Sequence, residues 1–329
     1  MINVGLVGLG FIGKTHLEAY EALPNAKVIQ ICSRSGIDNS LIHYKGKVTT
    51  DYDALLSNPE IDVVDICLPT YLHEEYIVRA ARAGKDIICE KPLALTAKAV
   101  KRIMKIVEEE NIRLFVGHVL RFWPAYKKIK QTSESINFQA IQTVHAKRLG
   151  QVPTWSEWFQ YPEKSGGALF DLHIHDIDFA YYLLGEVESV YAVGHQNEYG
   201  AWEHIMTTLR FKNQAKAFIE ASHTMPHKYP FIMSFRAQAK NATIDFELKA
   251  AENIEQINNS QLHLYKGKKQ SEIPVEDNDA FQIELAYFIH CLEDNQENQI
   301  VPLDDVLYII QLLEAIEQSL KTGELQFLD

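Results

Sequence analysis

The first 32 residues restrict this chain more than any other stretch. Ile2 to Val7 is an apolar run, and Gly8-Leu9-Gly10-Phe11-Ile12-Gly13 follows at once. From there to Leu23 the pattern is helical, with Ile12, His16, Ala19, Tyr20 and Leu23 on one side; Pro24-Asn25 ends it, and Lys27 to Cys32 is a second strand. Strand, glycine turn, helix and strand within about 30 residues is the context in which GxGxxG specifies a dinucleotide-binding βαβ unit. The first glycine permits the tight turn, the second lets backbone approach a pyrophosphate, and the third lets the helix pack on its strand. Free N–H groups and the positive dipole end at the helix start face the phosphates. Gly8, Gly10, Phe11, Ile12 and Gly13 are thus the first cofactor-binding candidates.

The end of the second strand selects the dinucleotide. A carboxylate there would accept from the ribose 2′-hydroxyl of NAD, but the chain reads Ser33-Arg34-Ser35. An arginine flanked by hydroxyls offers donors to a 2′-phosphate, so NADP is expected in preference to NAD, with Ser33 and Arg34 in the site. The alternatives are an Arg34 that stacks on the adenine face, with dual cofactor use, and an Asp38 that returns to the ribose.

Alternation of strand and helix continues. Asp62 to Leu68 is an apolar strand of the kind buried in parallel sheets, and Pro69 to His73 forms the loop after it. Leu68, Thr70 and His73 are placed at the nicotinamide, against the plainer reading of His73 as a helix-capping or packing residue. Gly84 caps the next helix, Asp86 to Cys89 leads into Glu90-Lys91-Pro92, and Thr96 is an N-cap for a helix over 97–110. Repeated βαβ units bring these loops to one sheet edge, the edge where open α/β sheets bind ligands. Lys91 leaves the sheet there; by itself a loop lysine is usually a solvated one.

Past Arg121 the alternation stops. Strand-like runs at 140–148, 187–195, 204–211, 214–223, 231–237 and 242–247 point to an α+β domain with a large, mainly antiparallel open-faced sheet. Amphipathic helices over 279–293 and 303–321 close the chain, with Gly323 as a cap. At 329 residues two domains are expected, a Rossmann domain over 1–120 and an α+β domain over 121–329. The formal charge of −12 argues against general affinity for nucleic acid or anionic membrane. The chain has no apolar run of about 18 residues and no secretory leader pattern. Its four cysteines show no CxxC pairing, which fits reduced thiols and a cytoplasmic protein.

One helical stretch interrupts the strands: Ser165-Gly166-Gly167, then ALFDLHIHDIDFAYYLLG. In an α-helix Asp171 and His175 would share a face, offset by about 40°, and His173 would point elsewhere. Asp176 and Asp178 invite thought of a metal, but the spacing matches no metal motif, and none is expected.

The glycine turn, the Pro69-to-His73 loop and above all Glu90-Lys91-Pro92-Leu93-Ala94 resemble the glucose–fructose oxidoreductase/inositol dehydrogenase/rhizopine catabolism (Gfo/Idh/MocA) family. Val116 to Tyr126 resembles that family's crossing into its second domain, and the stretch around Asp171 resembles its GGG…DxGxH motif. Ser165 replaces the first glycine of that motif, and His173 stands where many members have glycine. The resemblance implies that Asp171 and His175 face Lys91 across the cofactor, with these three as the catalytic group. It implies hydride transfer at a secondary alcohol of a sugar or polyol, with His175 as base, Asp171 orienting and Lys91 stabilising the alkoxide. Glu90 is expected to position Lys91 and the nicotinamide, and Arg121, Trp155 and Trp158 to wall the substrate pocket. Homodimers or homotetramers are expected, because the open sheet face would otherwise lie bare. Two rivals stand beside this reading: a glycoside hydrolase that cycles its cofactor, and a cofactor-binding sensor without turnover.

Overall fold

The computed structural model describes residues 1–34, 44–135, 138–152, 157–251 and 257–328. The chain divides into two compact units, Met1–Trp123 with Asn278–Tyr308, and Pro124–Asp277 with Ile309–Asp329. Position 120 is thus close to where the chain leaves the first unit, but a later strip returns to it. Packing explains the return. Phe288 stands with its ring centre 5.2 Å from Phe115 and 5.6 Å from Phe122, and Arg113 donates to the carbonyls of Cys291 and Leu292.

The first unit runs β1 (Ile2–Val7), α1 (Phe11–Glu21), β2 (Ala26–Cys32), β3 (Lys47–Thr49), α2 (Tyr52–Leu56), β4 (Val63–Ile66), α3 (His73–Arg82), β5 (Asp86–Glu90), α4 (Ala97–Glu109) and β6 (Leu114–Gly117). The six strands pair in parallel in the order β3-β2-β1-β4-β5-β6. Every residue of β4 and β6 is buried, as a sheet covered on both faces requires. Caps set the helix ends: Thr96 Oγ1 accepts from the Ala99 amide at 3.2 Å, and Gly84 takes φ +69° after α3. The chain reverses its direction of travel across the sheet between β1 and β4, and the crevice at that switch point is where such sheets take ligands. The strip 278–308 adds α8 (Ala280–Glu293), opened by an Asp279 carboxylate that accepts from Gln282 N at 2.7 Å.

The second unit contains α5 (Pro124–Ser133), β7 (Ile141–Leu149), α6 (Pro162–Ser165), α7 (Ile174–Leu184), β8 (Val187–Gln196), β9 (Trp202–Phe211), β10 (Lys216–Ser222), β11 (Ile232–Ala239), β12 (Ala242–Ala250), β13 (Ile257–Lys266), β14 (Lys269–Glu272) and the edge strand β15 (Gln326–Phe327). Helix α9 (Leu303–Thr322) starts in the first unit's strip and ends in the second. Nine strands form one sheet, ordered β14-β13-β12-β11-β7-β10-β9-β8-β15. The β7–β10 ladder is parallel and the others are antiparallel. One face is packed: Val144, Ala217, Ile219, Leu209, Phe235 and Phe246 are buried, and the Tyr126 ring meets Phe179 and Phe246 edge-on at 4.7 and 5.3 Å. The other face leaves Tyr191, Val193, Met206 and Phe218 exposed.

Candidate active site

In the first unit the glycines do what their spacing requires. Gly8 has φ +95°, and a Cβ there would lie 2.4 Å from the Cys67 carbonyl oxygen, so the turn is wedged into the crevice between β1 and β4. A Cβ on Gly13 would meet the Gly8 carbonyl at 2.1 Å, which is how α1 closes on its strand. Among the described residues, a Cβ on Gly10 would meet nothing within 4 Å. That open side, at the start of a helix with no acidic residue in its first turn, fits a dinucleotide pyrophosphate.

Around this turn the other strand ends converge. Gly8 N donates to Cys32 O at 2.9 Å, and Cys67 N donates to Val7 O at 2.8 Å. Ser33 is buried and Arg34 exposed at the end of β2, with the Arg34 charge felt by Tyr76 on α3. Ser35 and Asp38 lie outside the described residues. Thr70 is buried in the short 3₁₀ turn that precedes α3. His73 follows that turn as the first residue of α3. It is buried, with Nε2 2.8 Å from Leu68 O and Nδ1 2.9 Å from Pro92 O. Burial pushes its pKa below the ordinary value, and a neutral ring donates to only one of those carbonyls at a time. His73 therefore braces the loops after β4 and β5 against each other. Leu68 supplies one of those braced carbonyls.

Glu90 turns inward. One carboxylate oxygen accepts from the Lys91 amide at 3.1 Å, and the other lies 3.2 Å from Nε2 of the buried His16. Lys91 is partly exposed, between a buried Glu90 and buried Pro92, Leu93 and Ala94. The strand end thus buries Glu90 and leaves Lys91 partly exposed.

The second unit carries the other motif. Gly166 and Gly167 take φ +72° and +65°, and Cβ atoms there would strike the Phe170 ring and the Trp202 carbonyl. Ser165 is buried, donating to Phe159 O at 2.8 Å and accepting from Gly167 N at 2.9 Å, so the serine ties the turn. Leu169–His173 is a π turn that runs into α7. The ideal α-helical offset expected between Asp171 and His175 therefore does not hold; single π turns of this kind recur at functional sites. Asp171 and His175 are partly exposed, whereas His173, Ile174, Asp176, Ile177 and Asp178 are buried. His173 packs: Nε2 lies 2.8 Å from Thr207 Oγ1, Nδ1 has no partner among the described residues, and desolvation pushes the ring down to about 3. Asp176 is committed to Arg148 by contacts of 3.0 and 3.3 Å, both side chains buried beneath the sheet.

Arg121 is buried, with Nη1 2.6 Å from both Ile300 O and Asp305 Oδ2, so it anchors the returning strip. Trp158 is half-buried and stacked on Phe159 at 4.1 Å, and Trp155 lies outside the described residues. Sequence reasoning missed His223, whose Nε2 lies 3.1 Å from Asp171 Oδ2. It follows β10, 52 residues from its partner, and only strand register brings the two together. Among the described residues no helix is long and apolar enough to cross a membrane.

A parallel sheet of this order, with a glycine turn wedged at its switch point, is the framework of a dinucleotide-dependent oxidoreductase. Residues 2–118 match the oxidoreductase family with an NAD-binding Rossmann fold, and residues 126–245 match the GFO/IDH/MocA C-terminal domain. The chain belongs to this Gfo/Idh/MocA family and is an NAD(P)-dependent oxidoreductase. It is 30% identical to the uncharacterized oxidoreductase YrbE of Bacillus subtilis, covering 98% of this chain and 95% of that one. It is 32% identical to levoglucosan dehydrogenase of Pseudarthrobacter phenanthrenivorans over 76% of this chain and 72% of that one. It shares the fold of the aldose-aldose oxidoreductase of Caulobacter crescentus, with a TM-score of 0.84, 21% identity and 99% of each chain covered.

Proposed function

We propose that the enzyme oxidises a secondary alcohol of a sugar or polyol, reversibly, with NADP preferred over NAD, as a cytoplasmic homodimer or homotetramer. The observation that carries this reading is selective exposure. Lys91, Asp171 and His175 are partly exposed, whereas the other polar residues around them, Glu90, His173, Asp176 and Asp178, are buried, in a chain that matches the family over both segments. A nicotinamide bound at the glycine turn would supply the acceptor for the hydride from the carbinol carbon. His175 takes the hydroxyl proton, Lys91 donates a hydrogen bond to the oxygen as negative charge develops on it, and Asp171, held by His223, orients the hydroxyl. Phe11 and Ile12, with the glycines, form the phosphate turn. The exposed Arg34 supports the NADP preference, since a guanidinium complements a 2′-phosphate.

The test is a titration with NADP and NAD, then a panel of sugars and polyols that includes levoglucosan and myo-inositol. Net NADPH formation on a polyol, lost in Lys91→Ala and His175→Ala, is the expected result. Full turnover in those variants overturns the assignment of roles. Product formed without net NADPH supports the cofactor-cycling hydrolase instead.

A further inference from the structure

We propose that His16 is a positioning residue: it bridges Asp65 and Glu90 and thereby fixes the turn that presents Lys91. The geometry is closed at each step. His16 Nδ1 lies 2.8 Å from Asp65 Oδ2, and Nε2 lies 3.2 Å from Glu90 Oε1. The Tyr20 hydroxyl donates to the same Asp65 oxygen at 3.0 Å. The other oxygen of Glu90 accepts from the Lys91 amide. His16 and Asp65 have at most 1% of their side-chain surface exposed, and Glu90 has 9%. The chain of contacts therefore runs from α1, the helix that follows the glycine turn, to the end of β5.

An imidazole that faces a carboxylate oxygen from each ring nitrogen needs two N–H groups, and a neutral ring has one. The arrangement calls for the imidazolium. The groups that face it are Asp65 and Cys67 at the end of β4, Tyr20 on α1, Glu90 on β5, and the Phe281 ring at 5.7 Å from α8, with the Glu284 charge on α8 felt at Tyr20. Burial opposes the charge most strongly, yet the ring is held well above its ordinary value by its anionic neighbours. Cys67 contributes little of that pull, because burial pushes its thiol up to about 12 and it is neutral at pH 7. Asp65 is the stronger cause. His16, Asp65 and Cys67 lie close enough together to suggest a metal site. The 2.8 Å contact between His16 and Asp65 marks them as hydrogen-bonded to each other.

Glu90 has little freedom to rearrange if this grip is lost. A Cβ on Gly117 would lie 2.9 Å from Glu90 Oε1 and 3.5 Å from Glu284 Oε2, so one carboxylate oxygen has its place only because that residue is glycine. Without His16, the buried Glu90 carboxylate would lose one of the two partners that hold it. A carboxylate oxygen left unpaired in the interior turns away to find another donor, and in doing so releases the Lys91 amide.

The consequence for turnover rests on the role proposed above for Lys91; the consequence for the turn does not. The experiment uses the full chain with ¹⁵N-labelled histidine and backbone. Both His16 ring nitrogens are expected to carry protons at pH 7. In His16→Gln the Lys91 amide is expected to exchange at least about tenfold faster, kcat to fall about 10- to 100-fold, and the NADP dissociation constant to stay within about threefold. If His16→Gln does not fold, Glu90→Gln leaves the His16–Asp65 pair in place. It is expected to strip the Nε2 proton from His16 and speed exchange at Lys91. A neutral His16 in the wild type at pH 7, or unchanged Lys91 exchange in the folded variant, overturns the proposal. If Lys91 exchange responds as expected while Lys91→Ala keeps full turnover, the positioning holds and the assigned role of Lys91 fails.

Discussion

Lys91 and Glu90 are adjacent in the chain and have opposite surroundings, and that contrast decides how each can be tested. Lys91→Ala and His175→Ala remove groups expected to act on the developing alkoxide and its proton, so each should lower kcat by about 10²- to 10⁴-fold while the enzyme still binds NADP. Two buried histidines make opposite predictions for stability. His16 is raised above its unfolded value near 6.5, so its contribution is complete below that pH and fades as pH climbs through the folded value. Urea unfolding should show the gap between wild type and His16→Gln narrowing from pH 6 towards alkaline pH. His173 is lowered to about 3, so the unfolded chain binds the extra proton, and stability falls as pH drops from about 6.5. His173→Gln should flatten that acid limb, by up to about 1.4 kcal/mol per pH unit. The sequence disclosed Lys91, Asp171 and His175 because motif spacing is local. It did not disclose His16–Asp65, His16–Glu90 or Asp171–His223, which join residues 49, 74 and 52 positions apart.

At the level of elements, the turn that carries Asp171 is built from constraints on both sides. Gly167 combines a positive φ with a Cβ path 2.5 Å from Trp202 O, so Gly167→Ala should destabilise the fold by about 1–3 kcal/mol. Beneath it, Asp176→Ala would leave the Arg148 guanidinium charged and unpaired in the core, at a cost of about 3–5 kcal/mol by denaturant unfolding. The βαβ units, both closing helices and most strands of the second sheet were legible from periodicity, because each has an apolar face to declare. Strands β13 and β14 were not. Asn259-Ser260-Gln261 is polar, and β14 is exposed throughout, so neighbouring backbone holds them and no side-chain pattern announces them. The π turn was also illegible: it depends on how Leu169 and Phe170 seat in the core.

On the scale of the whole molecule, the nine-stranded sheet has one face that water alone covers poorly. Phe218, Thr208 and Tyr191 stand side by side on β10, β9 and β8, and Met206 pairs with Val193 one step along. A second copy of the chain is the expected cover. Light scattering should show Phe218→Glu/Met206→Glu as a monomer if this face is the contact, and an unchanged assembly if it is not. The division between the units was only half visible in sequence. The alternation of strand and helix stops past Arg121, but the return at 278–308 is written in scattered contacts to Phe115, Phe122 and Arg113.

That return fixes an order of events during synthesis. All six strands of the parallel sheet have been translated by Gly117, yet the helix that covers Phe115 is completed only at Glu293. For the interval in which the ribosome makes the second unit, the nascent sheet carries an uncovered aromatic patch, and transiently exposed surface of that kind is what holdase chaperones bind. Residues 1–123 made alone should therefore aggregate, and a peptide spanning 278–308 supplied in trans should restore their solubility.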